Sequence, residues 1–320
     1  MSRLIARFAE YSMLWLALMI VVISTAIFVP GTLTLANANA IFTFGVPIGL
    51  LALGETVVIL SGGGGIDLSV GSMMALSQVI AAVSTNVHSA PFLLIGIGVV
   101  SGVLMGAING LIVTKLAIPA FITTLATMFA FSGIALLLSH GIDISTLPPA
   151  FAVFGQGMVA YLPLQMVVIY LPLALGLWYV LEKTIFGYAI YYVGTNEKAA
   201  LLSGIRVSAT RIGAYMISGF FASVAGVVQA SWLGTARPDA GSVANLLAIT
   251  ITVLGGTSLL GGRGSVLGTM LATLVITVLG FSFNLANINS VIETGTVGVF
   301  LIVVVLGQRL LSERQGVQKH

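Results

Sequence analysis

Few side chains in this sequence are able to do chemistry. Among 320 residues there are nine Asp and Glu, three His and no Cys. With no thiol, a disulfide, a thiolate metal site and a cysteine nucleophile are all excluded. His88, His140 and His320 are scattered and form no HxxxH or HExxH spacing, so no metal centre is expected. Ser61 and Ser69 stand among glycines, as a serine nucleophile sometimes does. No histidine lies within an apolar run to serve as its base. Gly256 and Gly261 have the spacing of a phosphate-binding loop, but Gly262 and Arg263 occupy the places of its Lys and Ser/Thr. No catalytic residue, metal or cofactor is therefore expected.

What remains is polar chemistry in apolar surroundings. Glu55 lies inside an otherwise apolar run. A charge at the centre of a membrane helix costs about 3 kcal/mol on the insertion scale. Such residues face a bundle interior or a solute pathway. Glu55 is thus either a pathway group or a hydrogen-bonding group between helices. Asn109, Thr123 and Thr124 raise the same pair of readings, since small polar residues also join membrane helices.

Just beyond Glu55 lies L-S-G-G-G-G-I-D-L-S-V-G-S, residues 60–72. Four consecutive glycines disfavour a helix. Asp67 and Ser69 are of the type that caps the next one. Two readings fit: a short interfacial turn with a cap, or a discontinuous helix beside a solute path.

The elements that must position these groups follow from composition. The chain is 58% hydrophobic and 7% charged, against roughly 25% charged in soluble domains. Its solvent is lipid. The expected fold is all-α, a polytopic membrane protein forming one transmembrane domain over residues 1–320. Ten spans are expected, near 11–29, 41–60, 68–85, 91–114, 119–138, 164–181, 212–232, 243–255, 266–283 and 291–307, the first uncleaved. Residues 32–40 read as a polar connection, 140–162 as the longest outer loop, and 182–211 as the longest polar segment. With both termini cytoplasmic, eleven of the twelve Lys and Arg residues fall inside, only Arg237 outside. That asymmetry explains the net charge of +3 without nucleic acid. Glu293 reads as interfacial.

A second glycine cluster, Gly255, Gly256, Gly261 and Gly262, precedes an apolar run, and S-V-L-G-T-M-L-A-T-L-V-I after it resembles S-V-G-S-M-M-A-L-S-Q-V-I after the first. An internal repeat is expected. With Gly64, Gly65, Asp67 and Ser69, these glycines are candidates for a gate or hinge. Within 182–211, Asn196 can cap a short helix that Gly204 ends. Its Ala199, Leu202 and Ile205 are expected to share an apolar face. That face suits either a soluble partner or the lipid surface.

The motifs G-G-I-D-L-S-V-G-S (64–72), G-A-I-N-G-L-I-V (106–113), P-A-F-I-T-T-L-A-T-M (119–128), G-T-N-E-K-A-A-L-L-S-G-I (194–205) and G-G-T-S-L-L-G-G-R-G-S-V-L-G-T (255–269) resemble, in order, the permease subunit of bacterial ABC importers of the ribose, monosaccharide and autoinducer-2 type. The resemblance implies an inner-membrane dimer with a second copy or paralogue. It implies cytoplasmic ATPase subunits and a periplasmic sugar-binding protein as partners. It makes Asn196, Glu197, Ala199, Ala200, Gly204 and Ile205 an ATPase-coupling helix. Where the family has an acidic E-L-x-A-I-A pattern, this chain has Asn245 through Thr250, and two extra glycines precede Gly64. The first departure fits the autoinducer/rhamnose-like branch, or one member of a heteromeric pair, better than ribose itself.

The expected function is translocation in an ATP-driven importer, with sugar contacts between Phe44 and Glu55 and the glycine break near an inner gate. The competing reading is a secondary transporter driven by protons through Glu55. An interaction scaffold without transport leaves the polar groups inside several spans unexplained.

Overall fold

The computed structural model describes residues 2–29, 32, 34–289, 292, 295, 298, 299 and 302. In chain order its helices are α1 (Ser2–Phe28), α2 (Leu35–Leu60), α3 (Val70–Val83), α4 (Pro91–Lys115), α5 (Ala120–Ser139), α6 (Val153–Gln156), α7 (Leu171–Lys183), α8 (Ile185–Thr195), α9 (Glu197–Leu202), α10 (Val207–Leu233), α11 (Ala244–Leu254) and α12 (Val266–Leu285). A π-helical turn, Gln165–Tyr170, leads into α7, and the two make one apolar helix over 165–183. This helix, with α2, α4, α5, α10 and α12, is long and apolar enough to cross a bilayer. The chain is a multi-pass membrane protein.

α3 and α11 are shorter than the sequence predicts. Their 14 and 11 residues reach about 21 and 16 Å at 1.5 Å per residue, against a hydrocarbon core of about 30 Å. Each is joined through a glycine break to a longer helix, so runs 68–85 and 243–255 are partial spans. The tenth span, 291–307, and Glu293 lie outside the described residues. Two connections are also helical. Thr34 accepts from the Asn37 amide at 3.1 Å and starts α2 within the supposed polar connection. Residues 182–211 are filled by α8, α9 and the first turn of α10. Thr184 caps α8 through the Gly187 amide, a serine/threonine signal present in the sequence.

α2 is the central element. Nearly every side chain from Gly45 to Leu60 is buried, as expected of a helix apolar all round. It packs on α10, α11 and α12. Thr56 and Thr269 share a hydrogen bond of 2.8 Å, and Thr252 donates to the Ala52 carbonyl at 2.9 Å, so hydroxyls join α2 to both other helices. Tyr11 to Ser265 at 2.6 Å and Thr25 to Ser282 at 2.8 Å hold α1 against α12.

The tightest pairing joins α4 to α10. Gly98, Gly102, Gly106 and Gly110 recur every fourth residue on one face of α4. A methyl on Gly102 would overlap Ser223 and the Gly219 carbonyl, and one on Gly106 would overlap the Tyr215 carbonyl. The backbones touch because no side chain intervenes, the small-residue packing of membrane helices. At the end of the bundle away from the glycine breaks, Ile144 and Ala236 exchange backbone hydrogen bonds of 3.0 Å. Arg237 binds both carboxylate oxygens of Asp239 at 3.2 and 3.1 Å and stands 3.9 Å from Asp143. Its hydrogen bonds hold the Asp239 carboxyl below the usual range. Arg237 is thus balanced by two acids.

Gly106→Val should cost more than about 3 kcal/mol through overpacking, read as loss of folded protein in detergent. Gly133→Ala places its methyl in open space and should leave the melting temperature unchanged. Equal effects of the two substitutions would refute the stripe.

Candidate functional site

The first glycine break closes over a buried polar cluster. After α2 ends at Leu60, Gly62, Gly63 and Gly64 all adopt positive φ, between 65° and 70°. This left-handed run is open only to glycine without strain. It reverses the chain and sends Ile66–Ser69 back alongside α2 in non-helical form. The Asp67 amide, free of any helix, donates to Glu55 Oε1 at 3.1 Å. Asp67 Oδ1 accepts from the Ser69 amide at 3.0 Å and the Ser69 hydroxyl at 2.6 Å, and Oδ2 accepts from Ser218 of α10 at 3.1 Å. Asn109 of α4 donates to the Ser69 hydroxyl at 2.7 Å. Thr124 of α5 donates to the Ile66 carbonyl at 3.2 Å. Glu55, Asp67, Ser69, Asn109, Thr124 and Ser218 are fully buried. Four helices therefore converge on one break.

This arrangement corrects one sequence expectation. Neither Asp67 nor Ser69 caps α3 with its side chain. Ser69 is in α-helical conformation and makes no side-chain cap bond. The Asp67 carboxylate instead closes a turn on the residue two positions on, the local bonding that competes with capping for Asp. The second break does contain a cap: Ser265 accepts from the Gly268 amide at 3.0 Å.

The groups expected along a pathway fall into two places. Asn109, Thr124 and Glu55 belong to the cluster. Thr123 lies beside Thr124, and its hydroxyl donates to the Ile118 carbonyl at 3.4 Å. Phe44 sits eleven positions before Glu55, about 16 Å along the helix axis. It lines a cleft of about 180 Å³ with Ile48, Leu247, Thr277, Phe281 and Asn284. Its ring meets Trp232 edge-on at 4.7 Å and Phe281 at 6.3 Å. Glu55 does not reach this cleft. Glu55 Oε2, Asn109 Oδ1 and the Tyr215 hydroxyl have no hydrogen-bond partner among the described residues.

The two glycine breaks meet. The Gly262 amide donates to the Leu60 carbonyl at 3.0 Å. A methyl on Gly261 would come within 2.9 Å of the Gly62 amide, and one on Gly194, at the end of α8, would overlap the Leu60 carbonyl. Gly255 packs as closely on Gly268. Three segments distant in sequence thus share a backbone junction that excludes side chains. Sequence reasoning placed Gly194 only at the start of the 194–205 motif, two residues before the cap Asn196, and gave it no part in the glycine break.

α9 leaves this junction. Asn196 accepts from the Ala199 amide at 3.0 Å and caps it. At the other end the Ile205 amide donates to the Ala200 carbonyl and the Gly204 amide to the Leu201 carbonyl, each at 3.0 Å, with Gly204 at φ +80°. This paired closure is the Schellman motif. The expected apolar face is rotated. Ala200 is buried against Val193, Ile205 and Val207, while Leu201 and Leu202 are 57% and 90% exposed. Six residues are too few for a full amphipathic repeat, so packing of the flanking helices decides the face. Asn245, at the position where the resemblance leads one to expect an acid, donates to the Leu68 carbonyl at 3.2 Å. A carboxylate there has no proton to give.

The family described as "Branched-chain amino acid transport system / permease component" matches residues 37–306. The chain is 39% identical over 300 residues to the ribose import permease protein RbsC of Bacillus subtilis (strain 168), covering 93% of this chain and 92% of that one. It is 33% identical over 301 residues to RbsC of Escherichia coli (strain K12), covering 93% and 92%. The autoinducer 2 import system permease protein LsrD of Escherichia coli O9:H4 (strain HS) is 34% identical over 278 residues, covering 85% and 83%. No solved structure matches the chain. A multi-pass bundle, broken at glycines and matched almost end to end by import permeases, belongs to this permease-component family: the chain is a transport component of the membrane and not an enzyme.

Proposed function

We propose that the chain is the translocation subunit of an ATP-driven importer that receives a monosaccharide, or a similar small polyol or furanosyl signal, from a periplasmic sugar-binding protein. It works in the bacterial inner membrane as one domain of ten spans, residues 1–320, with both termini cytoplasmic and lipid around it. It pairs with a second copy or a paralogue. Cytoplasmic ATPase subunits dock on the 182–211 segment. The names of the relatives, ribose and autoinducer 2 import permeases, support the substrate class.

The observation that carries this reading is α9. It is capped at both ends, anchored by buried Ala200, and bare at Leu201 and Leu202. It stands beside the junction where both glycine breaks meet. A short rigid helix with exposed leucines suits a soluble partner. In this role Asn196, Glu197, Ala199, Ala200, Gly204 and Ile205 couple the ATPase to the membrane helices. Gly64, Gly65, Asp67 and Ser69, with Gly255, Gly256, Gly261 and Gly262, form the hinge of an inner gate, and the two breaks are the corresponding points of an internal repeat. Phe44 and its aromatic neighbours receive the sugar, since ring faces suit the apolar face of a pyranose or furanose. Glu55, Asn109, Thr123 and Thr124 lie deeper on the route, as the polar layer that the gate opens or seals.

Two measurements test this function. In cells, uptake of D-ribose as the probe should persist when an uncoupler collapses the proton gradient and stop when ATP is depleted. The reverse pattern would favour proton coupling through Glu55, whose Oε2 has no partner in the cluster. Gly204→Asp should abolish uptake and ATPase co-purification while membrane insertion is retained. Leu202→Glu, at a side chain 90% exposed, should do the same with the melting temperature unchanged. Normal uptake in both variants would refute the coupling role of α9.

A further inference from the structure

A charged side chain, that of Arg211, lies against the glycine turn and also holds α9. Arg211 lies in the second turn of α10. Its guanidinium passes beneath Gly63, where a methyl would overlap Nη2 and approach Cζ to 2.6 Å. The same Nη2 donates to Glu197 Oε2 at 2.8 Å, and Glu197 is the first residue of α9. The Arg211 side chain is 14% exposed and that of Glu197 46%. One planar group thus connects α10, α9 and the left-handed Gly62–Gly64 run. From there two hydrogen bonds lead inward. The Gly65 amide bonds back to the Gly62 carbonyl at 3.0 Å, and the Asp67 amide meets Glu55 at 3.1 Å.

An ion pair this open to solvent contributes little to stability. Its placement is what matters. Gly63 leaves room for a guanidinium and for nothing larger on its own backbone. The turn bears directly on the buried carboxyl groups, and Arg211 is the side-chain link that joins it to α9 and crosses to α10.

We propose that Arg211 is the positioning residue of coupling: through Glu197 on one side and Gly63 on the other, it transmits movement of α9 into the glycine turn that covers Glu55 and Asp67. This rests on the reading of α9 as the ATPase dock.

The test uses the full permease co-expressed with the ATPase of its transport system, in nanodiscs. Amide hydrogen exchange over residues 61–69 is measured with and without a non-hydrolysable ATP analogue. ATPase co-purification is scored separately. Wild type should bind the ATPase and change its exchange at 61–69 when nucleotide binds. Arg211→Gln should keep the melting temperature and ATPase binding but lose the nucleotide-dependent change. Glu197→Gln should lose it equally, and the double variant no more than either, since the two act through one link. Arg211→Lys, which keeps the charge and the stem, should restore part of it. A nucleotide response at 61–69 that survives Arg211→Gln would overturn the proposal. So would loss of ATPase binding in that variant, which would make Arg211 part of the dock or the fold. If wild type itself failed to bind the ATPase, the function of α9 would fall instead.

Discussion

Two carboxyl groups buried between apolar helices must find hydrogen-bond donors inside the protein. Water and lipid supply none at that depth, and an unsatisfied buried polar group costs several kcal/mol. A helix backbone cannot help, because its amides are committed to their own carbonyls. The chain meets this constraint by breaking. Three left-handed glycines release the Ile66–Ser69 backbone, and its free amides at Asp67 and Ser69 turn to the Glu55 and Asp67 carboxyl groups. Asp67 Oδ2 is filled from α10 by Ser218, Glu55 Oε2 is left without a partner among the described residues, and α4 supports the turn through Asn109 and Ser69. The break and the cluster therefore require each other. Straightening the backbone would orphan the carboxyl groups, and removing the carboxyl groups would leave the freed amides without acceptors.

The same break sets the arrangement at its end of the bundle. Because no side chain projects from Gly62, Gly194, Gly261 or Gly262, three backbone segments meet at contact distance. Interiors packed this closely transmit displacement rather than absorb it. α9 emerges from that junction with its leucines exposed, while the cluster lies on the other side of the turn. A short path of atoms in contact thus leads from the exposed surface of α9 to the buried polar groups. The aromatic cleft at Phe44 is about three helical turns away, which under the proposed function separates the place that receives the sugar from the proposed gate.

Much of this was legible in the sequence, for physical reasons. Composition alone demands a membrane bundle. Asn196 and Gly204 are a capping pair whose chemistry is local, so the ends of α9 follow from residue type. The four-glycine run declares a break. What sequence did not disclose is non-local. The role of Asp67 depends on Ser218, 151 residues away, so a carboxylate that looks like a helix cap becomes the centre of a cluster. The length of α3 and α11 is set by where the breaks fall, and an apolar run of either length reads equally well as a whole span. The rotated face of α9 follows from burial of Ala200 against Val193 and Val207 on flanking helices. Asn245, which looks like a departure from an acidic pattern, finds its reason in a carbonyl 177 positions away.

The central claim is that α9 and the second glycine break move together. The chain has no cysteine, so spin labels can be placed on Lys198→Cys and Leu260→Cys, both at exposed sites, with no native thiol of this chain to remove. Their separation is to be measured by pulsed electron resonance in the assembled transporter, in the nucleotide-free and nucleotide-bound states, alongside the separation of Lys198→Cys from Asp143→Cys at the far end of the bundle. The account predicts that the first distance stays fixed while the second changes. A change in the first distance on nucleotide binding would contradict it.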